Sequence, residues 1–481
     1  MKKPVLLLAF IICAIYSNAQ PVKASAISAL QVNTKTKARL DSLFHYLDST
    51  GLYNGNILVG IGGKKFASAS IGYANFRTKE TLTAASVFEL ASVSKQFTAA
   101  GILHLVEAGK LKLDQNLETI FPDWPYKGMS IRNLLNHTSG LPEYEEMMKE
   151  HWVKSKIATN KDVLAMLIQL HLPVKFPQGT KWEYSNTGYA MLGSVIEKIS
   201  GKSYAKFMQD SVFAPLHLDH TSIYMRRYAP RKINGYAYGY VQDDSGQYQL
   251  PDSVKDYDYV RYLDGIGGDG SVNTTEDDLL KWDNVIRDKK FLSAALWKEA
   301  LTPPIIAGKS TDYGFGLGVN MSPERGLVLS HTGGWPGYTT RNVFYVDKDV
   351  VLIYLGNFEL PEALTQQVWD AVKNIVFDRP FRLPVNITQV AVSIDSNLFR
   401  NNCGVYESVE MKGFELTIRQ EGNHYFAMAT GQGELELSPE SETRFFVAGA
   451  SIVLEFKPTH GKPTETMVLH QNGDHEFRRR H

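Results

Sequence analysis

The 481-residue chain carries 51 lysines and arginines against 51 aspartates and glutamates, and it is 43% hydrophobic and 21% charged. That composition is ordinary for a folded soluble protein, the length allows a substantial core and more than one domain, and the balanced charge leaves no global field to attract nucleic acid. The terminal RRRH is a short basic cluster that reads as solvated surface.

In chain order, Lys2 and Lys3 precede an apolar run over residues 5–15 and the small-residue site Ser17-Asn18-Ala19. This is the grammar of a signal peptide, 1–19, cleaved after Ala19; the run is too short for a stable membrane anchor. The protein is therefore expected to be secreted, into the periplasm, with no membrane span after cleavage. Cys13 leaves with the signal, so Cys403 stands alone, no intramolecular disulfide can form, and an inert thiol is expected. Leu40, Leu43, Phe44 and Leu47 then recur at helical intervals, and NILVGIGG and KFASASIGYAN read as strands. A helix is expected after Ser92, ending near Gly109, and others near 160–170, 187–200 and 275–287, the last capped by Thr274 with Asp277. Strands return in GFGLGVN, GLVLSHTGG and TRNVFYVDKDVVLIYLGN, before a helix in PEALTQQVWDAVKNIVF. Strands, a large helical insertion, strands again and a last helix predict an α+β domain over 30–378, an antiparallel sheet flanked by helices. DRPFRLPVNITQ has two prolines and no helical period, and predicts a linker at 379–390. Beyond it, short alternating runs predict a small all-β barrel or sandwich over 391–481. Phe414, Leu416 and Ile418 share one strand face there, and Ile452, Leu454 and Phe456 another.

Three stretches carry candidate chemistry. Ser92 and Lys95, in SVSK, lie one helical turn apart and share a face. A serine hydroxyl needs a base, and a lysine serves as one only where burial or a nearby cation favours its neutral form. In QGTKWEYSNTGYAMLG, Tyr184 offers a proton-shuttling phenol and Asn186 an amide for a substrate carbonyl, at the mouth of an amphipathic helix; either Ser185 or Asn186 also reads as an N-cap. In VLSHTGGWPGY, His331 and Thr332 precede Gly333 and Gly334 at a strand end, where glycines let a substrate backbone lie close; a bulge with a surface histidine is the alternative.

The order SVSK, YSN, HTG resembles the serine β-lactamase and penicillin-binding-protein superfamily, in its class C-like branch of esterases, D-aminopeptidases and D,D-peptidases. LLNHTSGLP (134–142) and GIGGDGSVNTTEDDLLKW (265–282) are also similar to stretches of that branch. The resemblance implies that Ser92 is acylated, that Lys95 holds or accepts its proton, and that Tyr184 assists and returns the proton to the leaving group. It implies that Asn186 binds the substrate carbonyl, that His331, Thr332, Gly333 and Gly334 line the far wall, and that the N–H groups of Ser92 and Gly334 form the oxyanion hole. It leaves open whether Lys95 or Tyr184 is the base. Penicillin-recognising members carry lysine where this chain has His331, and histidine is more typical of the esterase and aminopeptidase-like members.

The expected function is thus a cofactor-free, metal-free serine hydrolase acting on an ester or a D-residue-containing amide or peptide. A β-lactamase or D,D-peptidase is the alternative, and a non-catalytic binding protein with the same fold is the alternative of another class. A pH dependence near the histidine range is expected if His331 contacts substrate. Gly265, Gly267 and Gly270 match G-x-G-x-x-G, but no strand–helix unit surrounds them, and they read as a loop near the site. His137 has no partner at metal spacing and reads as a locally bonded turn histidine. Tyr236, Tyr238 and Tyr240 alternate as if packing one strand face.

Overall fold

A computed structural model describes residues 34–243, 246–385, 391–430, 433–447, 452–458, 463–471 and 474–480. The expected signal peptide lies outside these residues, as do residues 386–390 of the expected linker. In chain order the elements that matter here are helix α1 (Thr34–Thr50), strands β1 (Gly55–Ile61) and β2 (Lys64–Ile71), and helices α2 (Lys95–Glu107), α3 (Tyr144–His151), α4 (Asn186–Ser200) and α5 (Glu276–Arg287). Strands β3 (Gly318–Ser322), β4 (Gly326–Trp335), β5 (Tyr338–Tyr345) and β6 (Val350–Gly356) and helix α6 (Glu362–Val376) follow.

The six strands form one sheet in the order β3-β4-β5-β6-β1-β2, every neighbouring pair antiparallel. Residues distant in sequence thus meet inside it, where Leu58 of β1 opposes Ile353 of β6. Both of these interior strands read as near-continuous apolar runs because both faces are covered. On one face α1 and α6 bury Leu40, Leu43, Leu47, Val368 and Ile375 against Ile57, Val59 and Leu352. On the other lies the larger core of the helical insertion, with α2, α4 and α5 packed together with Leu58, Ile353 and Leu355. This is the α+β arrangement read from the sequence.

Eight antiparallel strands, from Gly404–Ser408 to Asp474–Arg479, close into a barrel. The alternation in its strands places Leu416, Ile418, Leu454 and Phe456 in an inner core around Phe399 and Phe445. Of the two all-β forms expected, the chain adopts the barrel. Two local readings differ. Helix α5 is capped by Thr275, whose hydroxyl accepts from Asp278 N–H, one residue later than expected. Thr274 is drawn away because its hydroxyl bonds Thr221, 2.6 Å distant, beneath a short sheet. Tyr236 and Tyr240 make only isolated bridges, to Val87 and Phe358, so their segment is extended without being a strand.

Candidate active site

The approach to Ser92 is built from short pairings. Phe88 and Glu89 pair with Thr274 and Asn273, and Leu90 N–H donates to Val272 O at 2.9 Å. Ala91 then takes φ +47°, left-handed backbone that a non-glycine residue adopts at a cost of about 1–3 kcal/mol. A 3₁₀ turn, Ala91–Ser94, carries the serine, and α2 starts directly after it. Ser94 does not cap α2, because its hydroxyl accepts from Val272 N–H at 3.0 Å. From the other side β4 presses in. A Cβ on Gly333 would collide with Leu90 O and lie 3.1 Å from Ser92 N, while Thr340 Oγ1 donates to Leu90 O at 2.7 Å. The turn is thus clamped between the sheet and the insertion.

Lys95 is fully buried. Its Nζ lies 3.0 Å from Ser92 Oγ, 2.9 Å from Asn186 Oδ1 and 2.8 Å from Asp269 O. Asn186 opens α4, and Ser185 is the N-cap, accepting from Gly188 N–H. The glycine-rich loop that supplies Asp269 O is tied down on two sides. Asn160 exchanges hydrogen bonds of 2.8 Å with both backbone groups of Gly267, and Thr98 Oγ1 donates to Gly268 O at 2.6 Å. Gly268, at φ +113°, leaves no room for a Cβ against Tyr189 O.

Tyr184 sits beside this centre without joining it. Its Oη is buried and has no hydrogen-bond partner among the described residues, and Lys95 Nζ lies over its ring, 4.9 Å from the centroid. His137 stacks on that ring at 4.4 Å and accepts from Ser185 N–H through Nδ1 at 3.1 Å. It is therefore a buried buttress for the Tyr184–Asn186 segment, bonded across 48 residues rather than within its own turn. Burial, with Lys95 and His331 nearby, holds His137 well below the ordinary histidine range, so it is neutral.

His331 is 7% exposed. Its Nδ1 lies 2.6 Å from Thr332 O, an acceptor only, so Nδ1 carries the proton and Nε2 accepts from the Tyr313 hydroxyl at 2.9 Å. Burial, and secondarily Lys95, pushes its pKa down to about 3. His331 is thus neutral, with both nitrogens turned to the protein, and the expected pH dependence in the histidine range does not follow from this placement. The alternation of β4 exposes Thr332 and Gly334 and buries His331 and Gly333. A cavity of about 640 Å³ opens between Asn186, Gly334, Trp335, Tyr259 and Glu359. A smaller one, about 70 Å³, reaches Ser92 and is lined by Glu89, Glu145, Asp264, Asp269 and Trp335. Gly334 borders both.

Comparison with known proteins agrees with this geometry. Residues 40–377 match the family described as Beta-lactamase. A penicillin-binding protein of Bacillus subtilis (strain 168) is 39% identical over 444 residues, covering 92% of this chain and 98% of its own. The chain belongs to the beta-lactamase family. A solved penicillin-binding protein from Bacillus halodurans is 26% identical, with a TM-score of 0.58, over 69% of this chain and 98% of that one. The D-amino acid amidase of Ochrobactrum anthropi, 22% identical over 71% of this chain and 99% of its own, shares the fold with a TM-score of 0.58.

As a member of this family of serine hydrolases, the chain is an enzyme. Among the described residues, no group of three or more histidine, cysteine, aspartate or glutamate side chains is placed to hold a metal ion. No described helix is long and apolar enough to cross a membrane. The structure brings Ser92, Lys95 and Asn186 into one hydrogen-bonded group and sets Tyr184, His331, Thr332, Gly333 and Gly334 around it. Sequence reading missed Glu143, Glu145 and Asp269. Glu143 Oε2 accepts from Asn186 N–H at 3.2 Å, and Glu145 Oε1 accepts from Asn186 Nδ2 at 3.2 Å. The signal for the first two was present: PEYEEM puts acids at the start of a helix just after the turn LLNHTSGL.

Proposed function

We propose that this enzyme works through an acyl-enzyme on Ser92, with Lys95 as the base. The observation that carries this is the surroundings of the Lys95 amine. Two of its three neighbours, Asn186 Oδ1 and Asp269 O, are acceptors only and take up two N–H bonds. The third, the Ser92 hydroxyl at 3.0 Å, can donate. The proposed step requires the neutral amine, and an amine so held points its lone pair at the serine proton. To Tyr184, whose phenol has no hydrogen-bond partner among the described residues, we assign the later step of returning a proton to the leaving group. Ser92 Oγ attacks a carbonyl carbon, its proton passes to Lys95 Nζ, and the N–H groups of Ser92 and Gly334 hold the oxyanion. The carbonyl bond to an alcohol or amine breaks, that group leaves with the proton, and water hydrolyses the ester on Ser92.

The substrate class is an ester, or an amide or peptide with a D-residue. His331 is neutral, and the cavity at Ser92 is lined by carboxylates with no lysine, arginine or histidine among its described residues. A substrate carboxylate finds no counter-ion in that cavity; Lys149 and Lys154 line the adjoining one. The 39% identity to a penicillin-binding protein favours a second reading, β-lactam or D,D-peptide recognition. We further propose that residues 1–19 direct the chain out of the cytoplasm, and that 391–481 is a domain of its own, joined through 379–390.

Two measurements test this. A fluorophosphonate probe is expected to leave its adduct on Ser92, located by mass spectrometry; an unlabelled Ser92 supports a non-catalytic binder instead. Purified mature protein is expected to turn over p-nitrophenyl esters faster than a chromogenic cephalosporin. The reverse order supports the second reading.

A further inference from the structure

We infer that Glu145 is a positioning residue for this reaction: through Asn186 it keeps the amide oxygen on Lys95 and supplies the counter-charge to the ammonium formed when Lys95 takes the Ser92 proton. This rests on the acyl-enzyme reading above. An asparagine amide has one accepting and one donating end, and its other partner decides which end faces the lysine. Here Nδ2 donates to Glu145 Oε1 at 3.2 Å, and Oδ1 accepts from Lys95 Nζ at 2.9 Å. A carboxylate only accepts, and the ammonium that Lys95 becomes on taking the Ser92 proton only donates, so that ammonium bonds Asn186 through Oδ1 alone. Turned over, the amide would meet that ammonium with N–H against N–H and Glu145 with oxygen against oxygen, losing two charge-assisted bonds together as the proton is transferred.

The carboxylate is placed at the site, not on the outer surface. Glu145 is half-buried in the first turn of α3 and borders both cavities alongside Asn186. Glu143, two residues earlier, accepts from the Asn186 backbone N–H, so one acidic stretch holds both the main chain and the side chain of Asn186. The charged and titratable groups facing Glu145 are Glu143 and Tyr144 of its own segment, Asp269 of the glycine-rich loop, Lys95 of α2, and Tyr259 and Tyr262 of the helix Tyr259–Tyr262. Burial, then Asp269 and Glu143, pushes the Glu145 carboxyl up to about 7, against the opposing pull of Lys95 and the Asn186 hydrogen bond. Its charge therefore appears as pH rises through neutrality. In the step itself, a bond forms between Ser92 Oγ and the carbonyl carbon and the proton moves from Oγ to Nζ. Glu145 neither gains nor loses a proton.

The experiment compares wild type, E145Q and E145D, as full-length mature enzymes, by kcat and KM for p-nitrophenyl acetate from pH 5 to 9 and by the rate of fluorophosphonate labelling. Wild type is expected to show kcat/KM rising with pH through neutrality. In E145Q, kcat is expected to fall about tenfold or more with KM changed by less than about twofold, and the acid limb to lose its component near neutrality. E145D is expected to restore that component and part of the rate, which a merely structural role would not do. Should wild type be labelled at Ser92 while E145Q keeps the same kcat and the same acid limb, this inference is overturned alone. Should wild type fail to label, the acyl-enzyme reading falls and takes this inference with it.

Discussion

Gly333 is a residue whose value lies in what it lacks. The place a side chain would occupy is filled by Leu90 O, the Thr340 hydroxyl and the backbone of Ser92. Gly333→Ala must therefore push the turn that carries Ser92 away from β4. We expect a loss of about 1–3 kcal/mol in stability and, because misplacement of about 1 Å in a reacting group is costly, a fall in kcat of about a hundredfold. Thermal denaturation and ester turnover measure the two; an active, equally stable G333A refutes the clamp. At this scale Ser92, Lys95 and Asn186, which the fold brings into one hydrogen-bonded group, were legible as candidates because SVSK and YSN are short patterns of residue type. Asp269 was not, since it contributes a main-chain oxygen that any residue possesses. His331 was legible as a residue near the site, but its neutral state depends on burial and on the nearby Lys95, which the local sequence does not reveal.

Among the elements, the packing of α5 against the sheet holds a buried carboxyl. Asp283 is 2% exposed and accepts from Asn342 Nδ2 of β5 at 2.9 Å. Burial pushes its pKa from the ordinary 3.8 to about 8. In the fold it is uncharged at neutral pH, and unfolding lets it ionise. Its contribution to stability is therefore complete below about pH 4 and lost as pH rises to about 8. Asp283→Asn keeps the shape and removes the titration, so the fall in Tm between pH 5 and pH 8 is expected to be smaller in D283N. An unchanged fall excludes Asp283 as its source. The sequence showed α5 through its apolar period, and missed its cap by one residue because Thr274 and Thr275 are equivalent until the tertiary bond to Thr221 separates them. The tyrosines at 236, 238 and 240 have strand spacing, yet periodicity does not reveal whether a neighbouring strand is present to pair with them.

For the whole molecule, the sequence grammar changed where the packing changes. The apolar runs before residue 378 enter two cores on either side of one sheet, and those after 391 fill a barrel of their own. Every residue placed at the site lies between Glu89 and Glu359. A chain ending at residue 385 is accordingly expected to keep the kcat/KM of the full-length enzyme for a small ester, within about twofold. A larger loss assigns the barrel a direct part in the reaction. The amine at Lys95 meets acceptors 91 and 174 residues further along the chain. Contacts so distant close late in folding, after their loop entropy is overcome. An unfolded chain thus carries an ordinary, unreactive serine, and the reactivity proposed for Ser92 switches on only when the last long-range closure is made. Time-resolved probe labelling during refolding would read that moment directly.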